Sequence, residues 1–230
     1  MSRQSLVPAP PVHITVILDR SGSMSRIASD IVGGFNALLG EQREASEGGR
    51  LTLVQFDDQD PFELLIDGED LAKVRDLEPG RYQPRGLTPL FDAVGSAIGR
   101  VDEEILTRAD AGIPIEDQIV VIITDGFENA SREFDGPTVA ELIRVRKGRA
   151  WTFVFLGSDP ATFEEASRIG VSRASTAQWQ ATRRGSEEAM RRLSQETSTF
   201  RAMTSEERVR KSNEFFGDSG GGDTSRGSGR

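Results

Sequence analysis

Cysteine is absent from the 230 residues, so neither a disulfide framework nor a thiolate metal site can be built, and redox chemistry says nothing about the compartment. Histidine occurs once, as His13, inside the first apolar run. A packed side chain is the simplest reading there, and a serine hydrolase would have no other imidazole base. Lysine is confined to positions 73, 147 and 211, and there is no G-x-x-x-x-G-K-[ST] loop, which excludes an NTPase of that type. Basic residues are in deficit, with 28 Lys plus Arg against 37 Asp plus Glu and a formal charge of -9. Nucleic acid is therefore not an expected partner. Long apolar runs are also missing: nothing approaches the roughly 20 residues that cross a bilayer. The opening MSRQSLVPAPPV has prolines and no apolar signal core, so a cytoplasmic chain without a membrane partner is expected.

What is present alternates in period. Residues 12–18 (VHITVIL), 51–56 (LTLVQF), 119–123 (IVVII) and 151–156 (WTFVFL) are short, nearly continuous apolar runs rich in β-branched or aromatic residues. Such runs suit strands buried on both faces of a parallel sheet. Residues 62–66 (FELLI) follow the second run after a tight acidic turn, which predicts an antiparallel edge strand. Ile27, Ile31, Phe35 and Leu38 recur at helical spacing, as do Leu90, Val94, Ala97, Ile98, Val101 and Ile105. Thr88 and Pro89 read as the cap and first turn of that second helix. Further helices are expected over 137–147 and 160–168, with a short strand near Val171 and a last amphipathic helix over 182–203. The alternation predicts an α/β fold: a doubly wound, mostly parallel sheet with one antiparallel edge strand and helices on both faces. Residues 1–11 read as a flexible lead, 12–204 as one domain, and 205–230 as a largely disordered Gly/Ser-rich tail.

Three features fall at the carboxyl ends of predicted strands, where open α/β sheets place ligands. Asp19 closes the first strand and is followed by Ser21 and Ser23, with Gly22 permitting the bend. Thr88 opens a helix. Asp125 closes the run IVVII. Two carboxylates and three hydroxyls suit a hard cation, Mg²⁺ or Mn²⁺, with Ca²⁺ less favoured. Such an ion is left undersaturated in charge, so an outside carboxylate can join its shell. Two adjacent carboxylates without metal should repel, raising at least one pKa and weakening metal affinity in acid.

The run Asp19-Arg20-Ser21-Gly22-Ser23-Met24, then Thr88, then Thr124-Asp125-Gly126, resembles the von Willebrand factor A domain with its metal-ion-dependent adhesion site. The resemblance covers roughly residues 12–175. It implies a Rossmann-like fold and a metal held by Asp19, Ser21, Ser23, Thr88 and Asp125. It also implies a non-catalytic module that captures a Glu or Asp carboxylate of a partner protein, monomeric in isolation. The fuller wording GLTPLFDAV and ITDGFENAS is similar to bacterial intracellular members, including those of stress and tellurium-resistance systems.

The alternative is a Mg²⁺-dependent phosphatase or phosphotransferase with Asp19 as nucleophile. It wants a second acid where Ser21 stands and a lysine at a strand's carboxyl end, and Lys147 precedes its strand instead. Other residues take plainer readings. Asp57, Asp58 and Asp60 form an acidic turn, a solvated hairpin before a second cation site. Asp92 is either support behind the ligands or an ordinary capping acid. Arg20 and Phe127 flank the site and are expected in a partner's footprint, Glu128, Asn129 and Ser131 cap the stretch that follows, and Phe215 and Phe216 fold back on the domain.

Overall fold

A computed structural model describes residues 10–44, 48–158, 161–180 and 182–217. Six strands form one sheet: β1 (Val12–Asp19), β2 (Gly49–Phe56), β3 (Glu63–Asp70), β4 (Asp117–Thr124), β5 (Thr152–Gly157) and β6 (Thr176–Gln178). Their spatial order is β3-β2-β1-β4-β5-β6, with β3 antiparallel to β2 and every other pair parallel. The expected doubly wound sheet with one antiparallel edge is thus the observed one. β1 lies at its centre and is buried along its whole length, as a run without alternation requires.

Among the described residues six α-helices accompany the sheet: α1 (Ala28–Glu44), α2 (Leu90–Asp110), α3 (Gly136–Lys147), α4 (Thr162–Arg168), α5 (Arg183–Ala202) and α6 (Ser205–Lys211). Successive strand residues point to opposite faces, and the two cores follow that alternation. Ile14, Val16 and Leu18 join Phe35 and Leu38 of α1 and Met190, Leu193 and Phe200 of α5. Ile17, Val120 and Ile122 join Leu90, Val94 and Ile98 of α2 and Val139 and Ile143 of α3.

The parallel registers set up the site. β1 and β4 pair Leu18 with Ile123, so both strands run out at one edge of the sheet, releasing Asp19 and the residues after Thr124 side by side.

Some expected boundaries move. α2 begins at Leu90 with Pro89 as its N-cap; proline has no side-chain acceptor, so Thr88 is freed from capping. Val171 is buried in the turn after α4, where Gly170 has φ +82°, and the strand starts later, at Thr176. The tail boundary at 204 is too early. Thr204 and Glu207 form a reciprocal capping box that starts α6, Arg208 is buried, and Phe215 and Phe216 sit in the core beside Phe200. Residues 1–9 of the expected 1–11 lead and the stretch 218–230 lie outside the described residues.

Candidate metal centre

The loop after β1 is shaped around the Asp19 carboxylate. Oδ1 accepts the Ser21 backbone N–H at 2.6 Å, and Oδ2 accepts the Thr124 hydroxyl at 2.6 Å. A 3₁₀ turn over Gly22–Arg26 follows, pinned by the fully buried Met24. Gly22 is needed for close approach and not for a left-handed bend: its N–H donates to the Gly86 carbonyl at 3.1 Å, and a Cβ there would stand 3.3 Å from that oxygen. The Tyr82 hydroxyl donates to the Asp19 carbonyl at 2.5 Å, fixing the strand end from below.

The five predicted oxygen donors are brought together. Ser21 Oγ lies 3.0 Å from Ser23 Oγ, which donates to Asp125 Oδ1 at 2.5 Å. Gly126 supplies the remaining link. A Cβ at that position would lie 3.2 Å from Thr88 Oγ1, 3.7 Å from Ser23 Oγ and 4.0 Å from Asp19 Oδ2. Three oxygens from two separate segments, the loop after β1 and the start of α2, therefore lie around one spot that the absent side chain of a third segment leaves open. Among the described residues no group of three or more His, Cys, Asp or Glu side chains is placed to hold a metal ion, so this set is short of carboxylates and rich in hydroxyls. That donor chemistry fits a hard divalent ion that retains water, and not zinc or copper.

Burial pushes the Asp19 carboxyl up from 3.8 to about 6, against the hydrogen bonds from Thr124 and Ser21; Asp125 adds a smaller repulsion. The expected rise in a carboxylate pKa is thus present, but its main cause is desolvation and not the neighbouring charge.

The supporting loops come from Asp92, Glu128, Asn129 and Ser131, whose bonds reach across to another segment as well as to their own. Thr88 N–H donates to Asn129 Oδ1 at 2.8 Å, and Asn129 N–H returns a bond to the Thr88 carbonyl at 3.1 Å. Glu128 Oε2 accepts from Phe91 N–H and Ser131 Oγ accepts from Asp92 N–H. These donors of the first turn of α2 have no local cap behind Pro89, and a distant loop satisfies them. Asp92 is buried and accepts the N–H groups of Arg132, Glu133 and Phe134. It is a brace for the loop carrying Asp125.

Two expectations fail here. Arg20 is not in any outward footprint: it is 5% exposed, its guanidinium lying 2.6 Å from Asp57 and 2.5 Å from Glu63. Asp57 is not a solvated turn residue but fully buried. Burial alone would raise its pKa, yet hydrogen bonds from Arg85 and the N–H groups of Gln59 and Asp60, with the charge of Arg20, hold it below the usual range. The cause is tertiary: the β2–β3 hairpin folds residue 57 against residue 20. Phe127, by contrast, is 44% exposed. His13 is packed, 2.9 Å from Thr52 Oγ1, and burial pushes its pKa down to about 3.

No protein-family model matches the sequence, and no curated protein matches it. Solved structures match its fold. A von Willebrand factor type A protein from Catenulispora acidiphila aligns with a TM-score of 0.55 at 14% identity, over 83% of this chain and 43% of its own. The pilus adhesin SpaC from Lactobacillus rhamnosus GG, in an open conformation, gives 0.63 at 12% identity, over 84% of this chain and 30% of its own. The manganese-loaded TRAP protein of Plasmodium vivax gives 0.52 at 16% identity, over 79% and 71% respectively. The fold is that of the von Willebrand factor A class. The chain spans less than half the length of the first two of these proteins.

Proposed function

We propose that the chain binds Mg²⁺ or Mn²⁺ through Asp19, Ser21, Ser23, Thr88 and Asp125 and uses the ion to capture a Glu or Asp side chain of a partner protein. The observation that carries this is the convergence of Asp19, Ser23 and Thr88 oxygens on the side-chain-free face of Gly126, with Ser21 and Asp125 joined to them through Ser23. When bound, the ion supplies a positive centre with exchangeable positions; the chain's own residues hold it and orient its open side. The manganese in the Plasmodium structure and the motif wording support the same reading. The similarity of GLTPLFDAV and ITDGFENAS to bacterial intracellular members extends the proposal to a cytoplasmic module of a stress or tellurium-resistance type system, monomeric until it meets its partner.

One observation weighs against Asp19 as a phosphoryl acceptor. The lysines lie elsewhere: Lys73 beside Asp70, Lys211 beside Glu196, and Lys147 at the end of α3 bonded to the Gly170 carbonyl. Calorimetric titration of Mn²⁺ and Mg²⁺ tests the proposal. Wild type should give a saturable heat and Asp19→Ala none. A wild type without heat refutes it, as does phosphatase turnover that disappears in Asp19→Ala.

A further inference from the structure

Six large apolar side chains are conspicuously exposed among the described residues: Leu87, Leu106, Ile113, Ile115, Phe127 and Val209. Leu106, Ile113 and Ile115 belong to the end of α2 and the connection to β4, at the sheet edge opposite Asp19. Leu87 and Phe127 are different. Leu87 is 51% exposed and directly precedes Thr88; Phe127 is 44% exposed and directly follows Gly126. Both are therefore chain neighbours of the spot on which the site oxygens converge.

Their exposure is built in. The Gly86 carbonyl accepts the Gly22 N–H at 3.1 Å, and the Leu87 N–H donates to Asp58 Oδ1 at 3.0 Å. Gly86 itself has φ +65°, with Asp58 Oδ1 filling the place of a Cβ, so no other residue reproduces this turn without strain. Phe127 is held on both sides, by Gly126 N–H on Thr124 Oγ1 at 3.1 Å and by Asn129 N–H on the Thr88 carbonyl at 3.1 Å. These bonds fix the backbone from which the two side chains project.

We infer that Leu87 and Phe127 form an apolar rim to the metal centre, and that the partner presents its acidic residue between large apolar side chains. This rests on the metal-site reading above and adds the partner's flanking chemistry to it. The ion recognises any carboxylate and so confers little selectivity. A partner whose acid is flanked by Ser, Asn or Lys would press polar groups onto Leu87 and Phe127, where they lose water and gain no partner. Apolar flanks instead bury surface on both loops and shield the ion–carboxylate contact from water, where its attraction is stronger.

The test uses the full chain loaded with Mn²⁺ and a displayed peptide library of one fixed glutamate flanked by random residues, eluted with EDTA. Large apolar residues should be enriched within two positions of the glutamate. A synthetic peptide from that pool should bind Leu87→Ser/Phe127→Ser about tenfold more weakly than wild type, while the Mn²⁺ titration of the double variant is unchanged. Absence of Mn²⁺ binding by wild type overturns the site reading and this inference together. Mn²⁺ binding with no EDTA-eluted peptides, with no apolar enrichment, or with equal affinity in the double variant overturns the rim alone. Mn²⁺-dependent dimerisation lost in the double variant would assign the rim to a second copy of the chain and overturn the acidic peptide as its occupant.

Discussion

Asp19 is where the chemistry of the site and the stability of the fold pull against each other. Its carboxyl titrates near 6 when folded and near 3.8 as a free side chain. Between those values the folded chain holds the proton and the unfolded chain does not. The favourable contribution is therefore complete below about 3.8 and is lost as the pH rises through 6. At pH 7.5 without metal the buried charge is a liability, and Asp19→Asn should remove it. The amide can keep the Ser21 N–H on its oxygen and donate to Thr124 Oγ1, which turns its own proton to the Gly126 carbonyl 3.2 Å away. Urea unfolding in EDTA should show Asp19→Asn more stable than wild type at pH 7.5, on the order of 2 kcal/mol. That advantage should vanish near pH 4. A destabilised variant at pH 7.5 would contradict the desolvation account. The same titration predicts Mn²⁺ affinity about tenfold weaker at pH 5 than at pH 7.5, and equal affinities would sink it. Gly126→Ala probes the opposite property. Its methyl would occupy the spot between Thr88 and Ser23 oxygens without requiring left-handed backbone. Mn²⁺ heat should be lost while thermal unfolding changes little, within about 1 kcal/mol.

At the scale of elements, α1 and α5 touch through a missing side chain. A Cβ on Gly34 would lie 2.6 Å from Cγ and 2.8 Å from Cβ of Met190, too close for Met190 to swing away by its far end alone. Gly34→Ala should destabilise by about 1–3 kcal/mol despite alanine's better helix propensity. Adding Met190→Ala should cost less in the Gly34→Ala background than in wild type, because the 2.6 Å approach to Cγ is gone, although the Cβ that alanine keeps still crowds the new methyl. Strict additivity in chemical denaturation would show that the helices do not meet there. The buried strands, the antiparallel edge and the helical stripes could be read from local period, because each core face is written into residues close in sequence. The five proposed oxygen donors were legible in another way, from their placement around predicted strand and helix ends, and the structure brings their oxygens near one another. What was hidden depends on pairing across the chain. Arg20 with Asp57, Thr124 with Asp19, and Glu128 and Ser131 with the first turn of α2 are matches that no local window contains. α6 was hidden for another reason: its capping box is local, but it buries Arg208 and not an apolar stripe.

Over the whole molecule, the two ends of the sheet carry separate tasks. Four of the proposed metal donors, Asp19, Ser21, Ser23 and Asp125, sit at or just beyond the point where β1 and β4 finish. The closing contacts of the domain sit where those strands begin: Arg208 donates to the Pro10 carbonyl at 2.6 Å and Asp117 at 2.7 Å, and also to the Phe200 and Arg201 carbonyls at the end of α5. Eight residues of β1 put roughly 26 Å between these ends, and β1 and β4 are buried over nearly their whole length. Arg208→Met keeps much of the side chain's bulk but removes its bonds to Asp117 and three carbonyls, leaving Asp117 the Ser205 hydroxyl and the Phe200 carbonyl the Met203 N–H, so it should lower stability by about 3 kcal/mol. Below its unfolding transition the variant should still bind Mn²⁺ as wild type does, since no site residue touches Arg208. Gly126→Ala should show the reverse pattern, keeping stability and losing metal. Paired calorimetry and thermal unfolding on both variants would test this division. A folded Arg208→Met chain with altered Mn²⁺ affinity would mean that strain at the closing end travels through β1 and β4 to the donors, and that the sheet is a coupled element and not a rigid spacer.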